Sequence, residues 1–389
     1  MEDSEVTSKM KYCVLPLALV VLLASLSAAA FGAAKTPYKI GAVFAVTGPA
    51  SPLGTPERDT ALMMEEQINK AGGIGGRPVK IIIYDTKSTE TDTVLAAKNL
   101  LSQGVVAIVG PSQTGESLAL LDMMTRSKTP LVSVAAGVKI VQPVNPWIFK
   151  TAQSDVHAVA RLVDYMKSKG INKVAMISVA NAFGDSGKQQ LRIQCGAAKI
   201  KIVEEEQFGD KDTDMTAQLT RIRGKKPQAV ICWGTNPGPA IVARNMKQLG
   251  MKMQLLMSHG IANRTFIELA GDAANGVIFP AGKLIVVDDI PNSDPQKKVL
   301  LAYRAAFQKK FKRGPDTFGG HAYDAIQLVV KALGKVGPDK AKIRGDIEST
   351  KNHVGIGGVF NFSPTEHNGL TKSAFALVTI KNGDWKIVR

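Results

Sequence analysis

The sequence predicts an α/β protein made of two doubly wound parallel-sheet lobes, and three observations indicate this fold class. Short apolar runs alternate along the chain with longer amphipathic runs. The apolar runs are continuous, which is typical of parallel strands that helices cover on both faces. Nine such runs occur, which is more than one compact domain of this length accommodates, so we expect a second lobe to begin near Ser154.

The predicted elements follow one another in a regular order. Strands are predicted at 38–45, 79–85, 105–110, 130–134, 173–179, 199–205, 228–234, 253–258 and 276–281. Helices are predicted between them at 56–71, 91–103, 116–127, 155–169, 185–197, 213–223, 238–249 and 264–271. Further helices are predicted at 295–312, 318–333 and 341–350, before the run GIGGVFNFS and a closing hairpin with a two-residue turn at Asn382-Gly383. No low-complexity linker separates the lobes, which favours several short crossings over a single tether.

The first 34 residues have the order of a secretory signal peptide. Lysines precede an apolar run at 13–26, and the small residues SAAAFGAA follow it. The apolar run is too short for a transmembrane anchor. We expect export to the periplasm or beyond, with cleavage after Ala30 or Ala34 and with Met1 or Met10 as the start.

The composition is that of a globular protein with a basic surface. Apolar residues make up 45% of the chain, charged residues 21%, and the net charge is +16. The basic residues are scattered and no aromatic residues interleave with them, so we expect no nucleic-acid partner but a surface that steers anionic ligands. Beyond the signal segment two cysteines remain, Cys195 and Cys232, and both are predicted to be buried thiols, although an oxidising compartment would permit a bridge.

Loops after the predicted strands are the expected place for a ligand. In doubly wound sheets ligands bind beyond the carboxyl ends of the strands. Two facing lobes would bring together the loops at 46–54, 110–117, 135–137, 181–187, 234–239 and 258–260.

The loop GPSQTGES at 110–117 places hydroxyl groups where a helix begins. Free backbone N–H groups and the positive end of the helix dipole make such a place an anion site. Alternatively, Ser112 or Thr114 caps the helix, which is a common role for these residue types.

No pattern for catalysis, metal or cofactor binding is complete. The five histidines lack metal-type spacing, GGIGG at 72–76 lacks the dinucleotide fingerprint, and no serine nucleophile elbow occurs. His321 and Asp324 lie three apart on a predicted helix, and a structural pair is favoured over catalysis there. These observations predict a binding protein that is not an enzyme and has no cofactor.

Several motifs in order resemble one family. IGAVFAVTGPASPLG, INKAGGIGGRPVKIIIYDTKS, AIVGPSQTGES, FGDSG and HAYDAI together resemble the type I periplasmic solute-binding proteins of ABC transporters, in the leucine/isoleucine/valine-binding branch. The resemblance runs from Lys39 to the end of the chain. It implies a three-crossover hinge between a lobe of 38–154 with 283–370 and a lobe of 155–282 with 371–389. It also implies a monomer that closes on its ligand and delivers it to membrane permease subunits.

The resemblance also implies where a ligand binds. In this branch the loop that matches GPSQTGES holds the ligand carboxylate, and an acid elsewhere pairs with the ligand ammonium. The matching positions comprise the carboxylate contacts, the pocket tyrosine positions and the acid position. The carboxylate contacts fall on Ser112, Thr114, Ala135 and Gly137. The pocket tyrosine positions fall on Leu53, Phe183 and Thr235. The acid position falls on His259.

The histidine at the acid position leaves the ligand class open. An imidazole does not supply the charge pairing of a carboxylate, and it suits a ligand hydroxyl, keto group or second carboxylate. The expected ligand is therefore a branched-chain or related amino acid, with Asp85 or Asp185 supplying the charge, or an aromatic or aliphatic carboxylate that lacks an ammonium group. Phe183 is expected to form an apolar or aromatic wall. Trp233 is expected either to join this wall or to belong to the core of its strand, and the core position is favoured. Alternative functions are an exported hydrolase that uses His259 or His321 and a ligand-sensing regulatory subunit.

Overall fold

The computed structural model describes residues 35–388. Their fold is built around two sheets that consist mainly of parallel strands. The predicted signal peptide at 1–34 lies outside the described residues. The first sheet has the order β2-β1-β3-β4-β5, and every pair in it is parallel. Its strands are β1 Tyr38–Phe44, β2 Val79–Asp85, β3 Ile108–Val109, β4 Leu131–Ser133 and β5 Ile148–Lys150.

The second sheet combines a parallel part with an antiparallel hairpin at one edge. Its order is β14-β13-β10-β9-β8-β6-β7. Its strands are β6 Lys173–Val179, β7 Lys201–Phe208, β8 Ala229–Trp233, β9 Gln254–Met257, β10 Ile278–Gly282, β13 Phe375–Lys381 and β14 Asp384–Ile387. Strands β11 His353–Val354 and β12 Val359–Phe360 form a separate short hairpin.

Helices alternate with the strands and cover the sheets. They are α1 Ser51–Lys70, α2 Glu90–Ser102, α3 Thr114–Arg126, α4 Asp155–Ser168, α5 Ala182–Ala197, α6 Thr216–Gly224, α7 Gly238–Gln248, α8 Arg264–Ala270, α9 Lys297–Phe311, α10 Thr317–Val336 and α11 Lys340–Glu348. None of the helices within 35–388 is long and apolar enough to span a membrane.

Both faces of each sheet pack into apolar cores, which confirms the predicted doubly wound α/β class. Along β1, Ile40 and Phe44 belong to one buried cluster and Val43 belongs to another on the opposite face. Along β6, Ile177 and Met176 divide in the same way. This alternation places a hydrophobic helix layer on each side of each strand. The exact lobe boundaries, 38–154 with 283–370 and 155–282 with 371–389, stay a prediction.

Two strands differ from the prediction. The run at 105–110 forms hydrogen bonds with neighbouring strands near both of its ends. The N–H of Val106 donates to the carbonyl oxygen of Lys39, and the N–H of Gly110 donates to that of Val132. Regular strand geometry, however, is confined to β3. Strand β5 was not predicted, because its three residues are too few to show a pattern and one of them is a buried lysine, Lys150.

The first helix begins earlier than the predicted start at 56. It begins at Ser51, with Pro52 in its first turn, where a missing N–H removes no helical hydrogen bond. Pro56 lies within the helix and cannot donate to the carbonyl oxygen of Pro52. The side-chain amide of Asn263, which follows β9 of the second sheet, donates to that oxygen instead at 3.2 Å. This bond ties the start of α1 to the other half of the molecule.

Two local predictions are confirmed. Lys381 pairs with Asp384 across the hairpin, and Asn382 and Gly383 between them both have positive φ, +51° and +72°, as a two-residue turn of this kind requires. Cys195 and Cys232 are both buried and free.

Candidate ligand-binding site

A cavity lies at the carboxyl ends of strands from both sheets. Its volume is about 140 Å³, counted as the space that the centre of a water molecule can reach. On this measure one water needs roughly 10–15 Å³, so the cavity has room for a ligand of about ten non-hydrogen atoms. All six loops that were predicted to meet contribute at least one lining residue. Of the predicted site residues, Leu53, Ser112, Thr114, Ala135, Phe183, Thr235 and His259 line the cavity.

Thr114 is the first residue of α3 and supplies a hydroxyl at the start of this helix. It is 3% exposed, and its Oγ1 accepts the N–H of Gly137 at 3.2 Å. The hydroxyl hydrogen remains able to donate to a ligand. The first N–H groups of α3 have no acceptor one turn back in the helix, so they and the hydroxyl are the groups at this end of the cavity that suit an anion.

Ser112 lines the cavity, but its hydroxyl is engaged by the protein. Its Oγ accepts the N–H of Ala45 at 2.9 Å and donates to the Glu57 carboxylate. Burial raises the pKa of Glu57 well above its ordinary value. The residue at the N-cap position of α3 is Gln113, so neither Ser112 nor Thr114 caps the helix.

Gly137 differs from the other predicted site residues because it is not among those that line the cavity. Its N–H donates to Thr114, and a Cβ atom at this position would lie 2.3 Å from Thr114 Cγ2. The position therefore requires a glycine. Gly137 thus fixes the position of the Thr114 side chain, and its predicted contact with a ligand stays a prediction.

The apolar part of the cavity wall includes aromatic side chains. Phe183 was predicted from the sequence, and Phe318 at the start of α10 was not. Trp233 packs behind Phe183, with ring centroids 5.9 Å apart, and is fully buried in β8, which confirms its expected core role.

His259 is a buried, neutral imidazole in the cavity wall. It is 5% exposed, and burial, with the nearby positive charges that His321 and Lys150 can carry, lowers its pKa to about 3. Among the described residues neither ring nitrogen has a hydrogen-bond partner. The nearest acid is Asp155, whose Oδ1 lies 3.8 Å from Nε2, beyond hydrogen-bonding distance.

His321 is a second buried imidazole in the same wall, which the sequence did not identify as a ligand contact. It is 3% exposed, and burial lowers its pKa to about 3. Its Nε2 lies 2.9 Å from Oε1 of Gln153, whereas Nδ1 has no partner among residues 35–388. The expected pair with Asp324 does not form, because the Asp324 carboxylate accepts the backbone N–H groups of Ile356 and Gly357 instead.

Acidic side chains also line the cavity, but they are not the predicted ones. Glu116 accepts the hydroxyl of Thr86 at 2.6 Å, and burial raises its pKa to about 7. Asp210 accepts the Asn181 amide at 2.9 Å, and Glu90 is exposed at the cavity surface.

Asp85 and Asp185, which the sequence suggested as partners for a ligand ammonium, make their contacts with other residues of the protein. Asp85 accepts the N–H groups of Val46 and Thr47, at 3.0 and 3.1 Å. Asp185 pairs with Lys188 at 2.8 Å. Neither is among the residues that line the cavity.

Lys150 and Asp155 are two buried ionisable residues near the cavity, and neither is among its lining residues. Lys150 donates to the carbonyl oxygen of Ala136 at 2.6 Å and so holds the loop that carries Ala135. Burial lowers the pKa of Lys150 and raises that of Asp155, and the opposite charge of each partner counteracts this shift. Within residues 35–388 no cluster of three or more potential metal ligands occurs.

Comparison with known proteins places these features in one family. The profile of a family described as periplasmic binding protein matches residues 37–384. A leucine-, isoleucine-, valine-, threonine- and alanine-binding protein from Pseudomonas aeruginosa is 26% identical over 318 residues, which are 79% of this chain and 81% of that protein.

Solved structures show the same architecture. An extracellular ligand-binding receptor from Rhodopseudomonas palustris HaA2 superposes with a TM-score of 0.86 at 26% identity, covering 91% of this chain and 100% of that one. A branched-chain amino acid transporter substrate-binding protein from Streptococcus pneumoniae, solved in complex with isoleucine, gives a TM-score of 0.79 at 25% identity over 91% of this chain and 99% of that one.

Proposed function

The chain belongs to the periplasmic binding protein family, and from this we propose that it is the exported substrate-binding protein of an ABC importer. The family is one of solute-binding proteins rather than enzymes. The proposed ligand is a small carboxylate that the cavity between the two sheets captures for membrane permease subunits.

The observation that carries the proposal is the anion-binding end of the cavity. Thr114 lines it with a hydroxyl whose oxygen already accepts a backbone N–H and whose hydrogen is available to donate. The N-terminus of α3 adds the positive end of a helix dipole, and α3 is 13 residues long. A carboxylate is the small anionic group that matches both features.

The absence of a charged partner at His259 favours a ligand without an ammonium group. A buried ammonium needs a carboxylate partner, since an unpaired buried charge is costly. His259 is neutral, and Asp155 beyond it is not among the lining residues. Aromatic or aliphatic carboxylates, including 2-oxo acids, therefore suit the cavity better than zwitterions.

A branched-chain amino acid is the second candidate ligand, and two observations favour it. The relatives from Pseudomonas aeruginosa and Streptococcus pneumoniae are named for such ligands. Glu90 and Asp210 line the cavity and could face an ammonium group that lies toward the surface.

A titration with neutral analogues tests the carboxylate assignment. Isothermal titration would compare benzoate with benzamide, and 4-methylpentanoate with its amide, because each pair differs chiefly in the negative charge. The proposal predicts that the acid of at least one pair binds and that its amide binds at least tenfold more weakly. Equal binding of acid and amide would contradict it, as would failure of every carboxylate and amino acid to bind.

A further inference from the structure

The charged side chains that line the cavity all have the same sign. Three acids, Glu90, Glu116 and Asp210, line it within residues 35–388, whereas no lysine or arginine does. The lining histidines His259 and His321 are neutral, because burial lowers the pKa of each to about 3. The start of α3 is therefore the part of the wall whose groups suit a negatively charged ligand.

Glu90 lies against the start of α3. It is the first residue of α2, and it is exposed. A Cβ atom on Gly115, the residue after Thr114, would overlap Oε1 of Glu90 and would lie 3.7 Å from Cβ of Ala182 on α5. The missing side chain of Gly115 thus lets the Glu90 carboxylate approach the backbone of α3, at the place where α3 of the first half meets α5 of the second.

Asp210 flanks the same place from the second half of the molecule. It follows β7 and is exposed, and its Oδ1 accepts the side-chain N–H of Asn181 at 2.9 Å. Asn181 is the N-cap residue of α5 and immediately precedes Ala182. The two acids are exposed, whereas Thr114 is 3% exposed, so the acids lie nearer to the solvent than the hydroxyl that suits a carboxylate.

Basic side chains of the neighbouring segments do not offset these acids. Lys87, just before α2, pairs with Asp92 at 3.4 Å, and Lys188 of α5 pairs with Asp185 at 2.8 Å. Lys150 is fully buried, donates to a backbone carbonyl oxygen and is not among the lining residues. The basic surface draws anions to the protein as a whole, but a second negative charge inside the cavity would meet acids without a basic partner.

We propose that Glu90 and Asp210 restrict the substrate class to monocarboxylates. One carboxylate of a ligand has the Thr114 hydroxyl and the first N–H groups of α3 as partners. A second carboxylate would lack such donors and would lie among like charges, and repulsion of this kind is one way in which a protein rejects a competing ligand. A neutral group at the far end of the ligand meets no such repulsion. This inference rests on the proposed function, because the carboxylate at α3 is the first of the two charges.

Two matched pairs of ligands test the proposal by isothermal titration. Hexanedioate is compared with its monoamide, and terephthalate with its monoamide, because the members of each pair have nearly the same size and differ by one negative charge. Titration at pH 8 keeps the lining acids ionised, since burial raises the pKa of Glu116 to about 7 and that of Asp210 above its ordinary value. In at least one pair the monoamide is expected to bind at least tenfold more tightly than the dicarboxylate, a difference of about 1.4 kcal/mol.

The possible outcomes separate this inference from the proposed function. Equal affinities within both pairs, or tighter binding of the dicarboxylates, would overturn the inference and leave the carboxylate assignment intact. If benzoate or 4-methylpentanoate binds and all four test ligands fail, the inference is overturned as well, because size rather than charge then excludes them. If no carboxylate binds at all, the proposed function is contradicted and this inference falls with it.

The double variant Glu90→Gln with Asp210→Asn assigns the effect to these two acids. It removes two negative charges at nearly constant size, and the amide oxygen at position 210 can still accept the N–H of Asn181. The affinity ratio of monoamide to dicarboxylate should fall about fivefold or more.

Asp185→Asn is the matched control for this double variant. Asp185 is an acid of α5 whose side chain is 63% exposed, and it is not among the lining residues. Its replacement should leave the ratio of monoamide to dicarboxylate within about twofold of the wild-type ratio. A ratio that is unchanged in the folded double variant, or that falls equally in Asp185→Asn, would overturn the proposal.

Discussion

Nε2 of His321 lies 2.9 Å from Oε1 of Gln153, and this contact determines which nitrogen of the ring carries the hydrogen. Gln153 is itself oriented by its bond to Gly357 at 2.8 Å. The carbonyl oxygen of Gly357 thus fixes the orientation of the Gln153 amide and, through it, the position of the hydrogen on the His321 ring. Gln153 acts as a positioning residue, since it is not among the residues that line the cavity.

Burial of His321 should make the protein sensitive to acid. Its pKa is about 3 in the folded protein and about 6.5 in the unfolded chain. The unfolded state therefore binds a proton that the folded state does not, and the stabilisation present above pH 6.5 is lost as the pH falls toward 3. Between pH 7 and pH 4.5 we expect His321→Gln to lose roughly 2 kcal/mol less of its free energy of unfolding than the wild type does.

Urea denaturation of both proteins at the two pH values measures this difference. The change in the free energy of unfolding between the two pH values must be compared between the two proteins, because buried acids contribute to this change with the opposite sign. Burial raises the pKa of Asp316 and of Asp324 to about 7, so these acids favour the folded state at low pH. The same loss of stability in both proteins would show that His321 is not the group that resists protonation.

Loss of the Thr114 hydroxyl should weaken carboxylate binding. A hydrogen bond to a charged group contributes roughly 1.5–3 kcal/mol, so Thr114→Val should lower the affinity for a bound carboxylate about ten- to a hundredfold. Thr114→Ser keeps the hydroxyl and should bind nearly as the wild type does. Titration calorimetry measures both variants.

A control for Thr114→Val is available on another helix. Thr220 is an exposed threonine of α6 whose hydroxyl donates to the carbonyl oxygen of Thr216, and Thr220→Val should not change the affinity. The Gly137 N–H loses its acceptor in Thr114→Val, so the melting temperature must be recorded with the affinity. Wild-type affinity in a folded Thr114→Val protein would mean that the carboxylate does not bind at α3.

An acid at position 259 should change the ligand class. His259→Glu would supply the counter-charge that an ammonium needs, and the affinity ratio of leucine to its 2-oxo acid should rise at least tenfold. Asp155 lies near this position and opposes ionisation of the new acid by like-charge repulsion. The double change His259→Glu with Asp155→Asn should therefore raise the ratio further, and an unchanged ratio in both variants would show that position 259 does not discriminate.

Ligand binding should bring the two halves of the molecule together. The cavity is lined from both sheets, so a bound ligand contacts both halves and favours the closed arrangement by hinge motion. Small-angle X-ray scattering should show a smaller radius of gyration with a saturating ligand. An unchanged radius, with binding established by calorimetry, would exclude closure.

The sequence predicted the framework of the cavity better than its chemistry. Continuous apolar runs marked the parallel strands, and the rule that ligands lie at strand ends selected all six loops. Asp210 lies just after β7, so the same rule also applies to it. His321 and Phe318 carried no such signal, because they lie on a helix and reach the cavity only through packing. The partner of His321 is 168 positions away in the chain, and no local pattern reveals such a contact.

The affinities of wild-type protein for leucine and for the 2-oxo acid of leucine test the central claim most directly. The two ligands share a carboxylate and a side chain and differ at the α-position, where only leucine carries an ammonium. Because His259 is neutral and the lining acids are engaged or exposed, the 2-oxo acid should bind at least as tightly as leucine in isothermal titration. Leucine binding at least tenfold more tightly, a difference of about 1.4 kcal/mol, would contradict the claim and identify this chain as an amino-acid binder.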